Sequence, residues 1–126
     1  MNTKSAIYKN SVGHLQASIA YGAVSAGCTG RTFKPEDLVI VTEDIQNNND
    51  YVFAALSVAS GNLHTESYQT VWPNWVPNND KKVVVNQVKF ITSIVMLPKK
   101  LIGPCTQTDI KLENRQQVID YLLING

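Results

Sequence analysis

The segment from Val83 to Leu97 constrains the fold more than any other part of this sequence. Its residues, VVVNQVKFITSIVML, are mostly β-branched or otherwise apolar, a composition typical of a buried strand. Asn86 and Gln87 are compatible with the two-residue bend of a hairpin, and the same pattern fits one long bent strand. The chain therefore needs a β-sheet in which this segment is paired and covered.

Three further segments bear on that sheet. Ser5–Lys9 predicts a short first strand, and the β-branched run Leu38–Thr42 predicts another. Between them, Leu15–Ala26 begins with apolar residues that alternate with small or polar ones, which favours a strand. Its alanines also suit a helix, although Gly22 weakens that alternative.

Helical spacing predicts three helices. A stripe of apolar side chains between Asp50 and Gly61 predicts a helix, with Asp50 as its N-terminal cap and Gly61 after its last turn. A strand is the second choice, because the first residues of this segment are aromatic or β-branched. Leu63–Val71 continues as a second short helix. The segment Leu112–Ile124 has leucine and isoleucine side chains at helical spacing, followed by a natural stop.

The economical architecture is an α+β fold in which an antiparallel sheet carries a few helices packed on one face. Residues 1–126 fit one domain, and 44% hydrophobic with 17% charged residues is ordinary for a globular protein. A net charge of +1 argues against duplex nucleic acid as a partner. No apolar run suits a signal peptide or a membrane span, so we expect a cytoplasmic protein with two free thiols and no membrane partner.

A glycine turn, Gly27–Gly30, is followed by Arg31 and Thr32. Glycines allow backbone N–H groups to converge on one point, and an arginine beside them adds a planar fork suited to phosphate or carboxylate. Arg31 and Thr32 are therefore candidate anion-binding residues. A turn with a surface arginine is the alternative.

Aromatic side chains offer stacking surfaces for a nucleobase. We single out Tyr21, Trp72 and Phe90 as candidates, whereas Phe53 is interpreted as a core residue. Trp72 lies among prolines and asparagines. Phe90 follows Lys89 in a predicted strand, so the side chains of Lys89 and Phe90 point to opposite faces.

One pattern points to an enzyme. His64-Thr65-Glu66 and the later Pro104-Cys105 are part of the His-x-Glu and Pro-Cys-x-x-Cys pattern of zinc-dependent deaminases. Thr108 stands where the second cysteine would be, and three protein ligands are the usual minimum for catalytic zinc. The adjacent acids Glu43 and Asp44 are interpreted as solvated turn residues. We therefore assign no catalytic residue, no metal and no cofactor.

The glycine turn with Arg31 and Thr32, the chain length, and Arg115 near the C-terminal helix resemble the phage-encoded anti-Thoeris proteins of the first type. These cytoplasmic sponges act in the infected bacterial host and bind cyclic ADP-ribose signals, and some bind cyclic oligonucleotides. The resemblance implies a homo-oligomer built from dimers, with ligand pockets between subunits. Arg31 and Arg115 would hold phosphates, while Tyr21, Trp72 or Phe90 would sandwich an adenine.

The sequence thus leads to the hypothesis of a non-enzymatic sponge that sequesters a cyclic ADP-ribose isomer or a cyclic oligonucleotide. A degenerate zinc-dependent deaminase and a protein-interaction or immunity module are the alternatives.

Overall fold

A strand of 17 residues, Tyr51–Ser67, lies at the centre of the fold. The computed structural model of the protein describes residues 3–8, 12–25, 32–67, 71–72, 82–102, 110 and 112–126. The strands described are β1 (Thr3–Tyr8), β2 (Ala23–Val24), β3 (Leu38–Asp44), β4 (Tyr51–Ser67), β5 (Lys82–Phe90) and β6 (Val95–Pro98). The helices described are α1 (His14–Tyr21), a 3-10 turn (Lys99–Leu101) and α2 (Leu112–Asn125).

The strands form one mixed sheet in the order β1-β3-β4-β5-β2, with β6 also paired to β4. Strands β1 and β3 are parallel, with Ser5 in register with Ile40, and the other pairs are antiparallel. The prediction of an antiparallel sheet is therefore wrong for this one pair. Parallel strands need a connection of about a dozen residues or more, and the segment that contains α1 and β2 supplies it.

The predicted helix from Asp50 to Gly61 is wrong, because these residues form most of β4. At residues 52–59 the strand is packed on both faces, with Ala55 and Ala59 in one hydrophobic cluster and Val52 and Leu56 in another. A strand buried on both faces loses the alternation that identifies strands, and its apolar positions then resemble a helical stripe. The predicted short helix that begins at Leu63 is also wrong as far as residue 67, where β4 ends; 68–70 lie outside the described residues.

The prediction of a strand across Leu15–Ala26 is wrong for the first half of this segment, where α1 forms. Gly13 and Gly22 flank the helix with positive φ angles of 80° and 73°. Ile19 and Tyr21, which the alternation would have buried, are 36% and 47% exposed. Burial instead follows His14, Leu15 and Ser18, a helical stripe that includes polar residues and that a hydrophobicity pattern therefore misses.

The segment Val83–Leu97 is neither a hairpin nor an unbroken strand. Strand β5 runs through Asn86 and Gln87 without a turn and ends at Phe90, opposite Ser57 of β4. After four residues, β6 resumes pairing with β4, with Val95 opposite Ala54. The long bent strand is therefore the better of the two interpretations, and its interruption lies at residues 91–94.

Two hydrophobic clusters cover opposite faces of the sheet. The first cluster contains Leu15 of α1, and the second contains Val118, Ile119 and Leu122 of α2. The predicted α+β class is confirmed, and so is the C-terminal helix. Packing on one face is wrong, because α1 and α2 lie on different faces. Neither of these two helices is long and apolar enough to cross a membrane.

Gly61 lies where the register between β4 and β5 shifts, and it is packed closely against Pro35. Its φ angle is 87°, and a Cβ atom placed there would lie 2.8 Å from Cδ of Pro35 and closer still to Cγ. We expect Gly61→Ala to lower the free energy of unfolding by about 2 kcal/mol, from backbone strain and crowding together. Urea denaturation measures the change.

Gly22→Ala is the matched control, because Gly22 also has a positive φ angle but its nearest neighbour, the carbonyl oxygen of Val88, would lie 3.6 Å from the added Cβ. That variant carries the backbone strain without the crowding. We expect Gly61→Ala to cost about 1 kcal/mol more than Gly22→Ala. Equal losses for the two variants would show that contact with Pro35 contributes nothing.

Candidate functional site

A cavity of about 400 Å³ opens beside the N-terminal turn of α1, and we call it the α1 cavity. The described residues that line it are apolar (Val12, Ile45, Phe53 and Ile94), polar (Gln16 and Gln46) or acidic (Glu43 and Asp44), together with Gly13. Its volume lies within the range of about 300–1,000 Å³ typical of small-molecule sites. Apolar walls with a few hydrogen-bonding groups are the usual composition of such sites.

Glu43 connects the cavity to the start of α1. It is the penultimate residue of β3 and only 5% exposed, and its Oε1 accepts a hydrogen bond of 3.1 Å from the backbone N–H of Leu15. The first N–H groups of a helix have no partner within the helix, so this carboxylate acts as a cap supplied by another element. The interaction fixes the helical turn that carries Gly13 and Gln16 against the end of β3.

A buried aromatic cluster packs His14 of α1 against Tyr8 and Trp72. The rings of Tyr8 and His14 are 5.5 Å apart, and His14 is stacked near Trp72 at 6.5 Å between centroids. The hydroxyl of Ser18 is shared, because it accepts a 3.1 Å hydrogen bond from Nε1 of Trp72 and lies 2.9 Å from the hydroxyl of Tyr8. The hydroxyl oxygen of Tyr8 also accepts a 3.3 Å bond from the backbone N–H of Ser25.

Burial alters the acid–base properties of this cluster. Desolvation raises the pKa of Tyr8 to about 12, and the negative charge of Glu43 adds to that effect. Desolvation lowers the pKa of His14, and the charge of Glu43 opposes the shift. Both rings are therefore uncharged at neutral pH, as their position in the core requires.

A second cavity, of about 420 Å³, adjoins the first and shares Asp44, Ile45 and Gln46 with it. Its other described lining residues are three asparagines, 47–49, and Lys99. Nζ of Lys99 donates a 3.4 Å hydrogen bond to the carbonyl oxygen of Asn48. The two cavities differ in chemistry, since the first has apolar walls and the second is polar with a cation.

The chain matches no protein-family model and no curated protein. Among solved structures, it is similar to the YTH domain of the Zygosaccharomyces rouxii MRB1 protein in complex with N6-methyladenosine RNA. The similarity has a TM-score of 0.58 and 12% sequence identity, and it covers 95% of this chain and 86% of the other. The protein has a YTH-like fold. At this identity, the similarity concerns the fold alone.

Within the YTH-like fold, the predicted aromatic residues do not meet at one site. Trp72 is 1% exposed, which corrects the expectation that it presents an open face to a ligand. Tyr21 lies at the C-terminal end of α1, away from the turn that lines the α1 cavity. Phe90 packs against the first cluster and does not line that cavity.

Of the predicted anion-binding residues, the structure describes Arg115 and Thr32. Nε and Nη1 of Arg115 donate hydrogen bonds to the backbone carbonyls of Ile110 and Thr3, at 3.0 and 2.9 Å, so this guanidinium ties α2 to the start of β1. Thr32 is exposed, and Arg31 with the glycine turn lies outside the described residues. A phosphate-binding role for these side chains stays a prediction.

The His-x-Glu part of the deaminase pattern lies on β4. Nε2 of His64 is 3.8 Å from Oε2 of Glu66, and both side chains are partly exposed. Cys105 lies outside the described residues. In the part of the chain that the structure describes, no three histidine, cysteine, aspartate or glutamate side chains are grouped to hold a metal.

Sequence reasoning missed the residues that line the α1 cavity. Phe53 was interpreted as a core residue, and it does pack against the first cluster, but it also lines the cavity. Glu43 was interpreted as a solvated turn residue, which is wrong because it is buried at the end of β3. The available signal was the position of Glu43 directly after the β-branched run Leu38–Thr42. A carboxylate that continues a buried strand is itself buried and therefore needs a hydrogen-bond partner.

Proposed function

We propose that this protein binds a small molecule that carries a nucleobase, and releases it unchanged, with the base held in the α1 cavity. The observation that carries the proposal is the combination, in one cavity, of the aromatic ring of Phe53 with the hydrogen-bonding side chains of Gln16, Gln46 and Glu43. The similarity in fold to a YTH domain that was solved with N6-methyladenosine RNA supports the same class of ligand.

Each part of the cavity suits one part of a nucleobase. The flat face of a base stacks on aromatic rings, which is worth about 1–3 kcal/mol per base. The amides of Gln16 and Gln46 both donate and accept hydrogen bonds, as the edge of a purine requires. The apolar walls formed by Val12 and Ile94 cover the remaining surface of the base.

The narrower proposal is a sponge for a cyclic ADP-ribose isomer, as the resemblance to anti-Thoeris proteins implies. Its adenine would occupy the α1 cavity, and its phosphates would lie outside that cavity because its described lining contains carboxylates and neither lysine nor arginine. The adjoining cavity, which shares part of its lining with the α1 cavity, contains a cationic group, Lys99. A homo-oligomer and a contribution from Arg31 belong to this narrower proposal.

Equilibrium dialysis followed by mass spectrometry tests the proposal. The protein is dialysed against adenosine, guanosine, N6-methyladenosine and two cyclic ADP-ribose isomers, and the retained compound is released and identified. Stoichiometric recovery of an intact ligand is the expected result. A converted product would favour an enzyme such as the deaminase alternative, and no retention of any compound would contradict nucleobase binding.

Phe53→Leu tests the placement of the base. Leucine keeps much of the apolar volume but removes the aromatic face, so we expect the ligand to bind about tenfold more weakly, measured by isothermal titration calorimetry. Phe90→Leu is the matched control, because Phe90 is also partly buried against the first cluster but does not line the cavity. The proposed placement fails if Phe90→Leu weakens binding and Phe53→Leu does not.

A further inference from the structure

The adjoining cavity is lined by a different set of chemical groups from the α1 cavity. Its described lining residues, apart from Ile45, have polar or charged side chains: Asp44, Gln46, Asn47, Asn48, Asn49 and Lys99. They comprise one carboxylate, one ammonium group and four neutral amides. Amides both donate and accept hydrogen bonds, whereas a carboxylate only accepts them. This lining therefore matches a neutral group that carries several hydroxyls, because each hydroxyl also donates and accepts.

The loop between β3 and β4, which forms most of this lining, is held by hydrogen bonds of its own. The Oδ1 atom of Asn48 accepts bonds from the backbone N–H groups of Asp50 and Tyr51, at 2.9 and 3.1 Å. The backbone N–H and Nζ of Lys99 donate to the carbonyl oxygens of Asp50 and Asn48, at 2.7 and 3.4 Å. The wall of the cavity is therefore formed in the free protein, which reduces the entropy that a ligand must overcome on binding.

Asp44 lies where the two cavities meet. It is the last residue of β3, it is partly exposed, and it lines both cavities. In the part of the chain that the structure describes, no hydrogen bond or ion pair engages its carboxylate. The preceding residue, Glu43, differs in this respect, because its carboxylate caps α1 through the backbone N–H of Leu15. Asp44 is thus an acceptor available to a ligand that extends from one cavity into the other.

The shared border suits the sugar of a nucleoside. A ribose is bonded directly to its base, so a base held in the α1 cavity brings the sugar to the place where the cavities join. Acidic side chains recognise ribose in the dinucleotide-binding folds, where the carboxylate accepts a hydrogen bond from the 2′-hydroxyl. The amide side chains of Asn47 and Asn49 line the part of the adjoining cavity that lies beyond the border, where the other hydroxyls would find partners.

We propose that the adjoining cavity takes the ribose of a ribonucleoside, and that the carboxylate of Asp44 accepts a hydrogen bond from the 2′-hydroxyl. This inference rests on the proposed function and specifies its ligand class. A 2′-deoxyribose would displace water from Asp44 without replacing its hydrogen bond, and such a loss is costly at a charged group. The protein would thus distinguish ribonucleosides from deoxyribonucleosides, for which the 2′-hydroxyl is the available difference.

Isothermal titration calorimetry with matched pairs of nucleosides tests this inference. The probes are adenosine with 2′-deoxyadenosine and guanosine with 2′-deoxyguanosine, so the base is constant within each pair. We expect the ribonucleoside of a pair that binds to do so about tenfold more tightly than its 2′-deoxy form. Equal affinities, or tighter binding of the 2′-deoxy form, would overturn the inference and leave the proposed function intact. No binding of any of the four would contradict both.

Three variants assign the preference to Asp44. Asp44→Asn keeps the size of the side chain but removes the charge, and we expect the ratio of the two affinities to fall to about threefold or less. Asp44→Ala removes every acceptor, so the ratio should approach one. Asp50→Asn, at an exposed position that lines neither cavity, is the matched control and should keep the wild-type ratio. An unchanged ratio in both Asp44 variants would overturn the inference, even if both nucleosides bound more weakly.

Discussion

Replacement of Trp72 by alanine is expected to lower the free energy of unfolding by about 3–5 kcal/mol, the range for removal of a large buried aromatic side chain. Trp72 is 1% exposed, it packs against the rings of Tyr8 and His14, and its Nε1 donates a hydrogen bond to Ser18. Alanine would leave a cavity beside β1 and α1 and would remove one of the two hydrogen-bond partners of the Ser18 hydroxyl. Urea denaturation followed by far-ultraviolet circular dichroism measures the loss without relying on tryptophan fluorescence.

Two further variants separate the causes. Trp72→Phe keeps an aromatic ring but removes the N–H donor, so we expect a smaller loss of about 1–2 kcal/mol. Tyr21→Ala removes an aromatic side chain that is 47% exposed, and it should change stability by less than about 0.5 kcal/mol. A loss below about 1 kcal/mol for Trp72→Ala would contradict the position of this residue in the core.

The second large effect is a loss of stability at alkaline pH that depends on Tyr8. Burial raises the pKa of Tyr8 to about 12 in the folded protein, whereas an unfolded tyrosine has its ordinary value of 10.0. Between these values the folded state holds a proton that the unfolded state releases, so stability falls as pH rises. Its contribution is complete below about pH 10 and lost progressively up to about pH 12, a total of about 2–3 kcal/mol. Urea denaturation at a series of alkaline pH values measures this decline.

Tyr8→Phe isolates this contribution from the titration of lysines. The variant has no phenol to ionise at this position, so we expect its stability to fall less steeply between about pH 10 and pH 12, by up to about 2–3 kcal/mol. It also loses bonds to Ser18 and Ser25, which lowers its stability at neutral pH by about 1–2 kcal/mol. Tyr51→Phe, at a residue that is 39% exposed, should reproduce the wild-type pH profile. Identical slopes for Tyr8→Phe and the wild type would contradict the assignment.

Several elements were predictable because local chemistry and tertiary structure agree there. Strand β3 follows from its β-branched residues, and α2 follows from the helical spacing of side chains that cover one face of the sheet. Strand β4 and helix α1 were assigned wrongly for opposite reasons. The first half of β4 is packed on both faces, so its apolar residues do not alternate with polar ones. The residues of α1 alternate by chance, while the helix buries a partly polar stripe.

The α1 cavity was not predictable, because its lining comes from segments that are distant in the sequence. Gln16 belongs to α1, Glu43 to β3 and Phe53 to β4, while Ile94 belongs to the interruption between β5 and β6. Each residue has an ordinary local context, and none belongs to a spaced motif. Arg115 illustrates the reverse case, since a guanidinium predicted to hold a phosphate donates two hydrogen bonds to the backbone.

The sequence by itself determined the α+β class, strand β3, the strand character of residues 83–97 and the C-terminal helix, because these depend on the residue types within single segments. Only the tertiary structure decided that Glu43 is buried, that Trp72 belongs to the core, and that Phe53 lines a cavity. Burial and cavity lining depend on which elements pack together, and that choice is made by long-range pairing around β4 rather than by any local pattern.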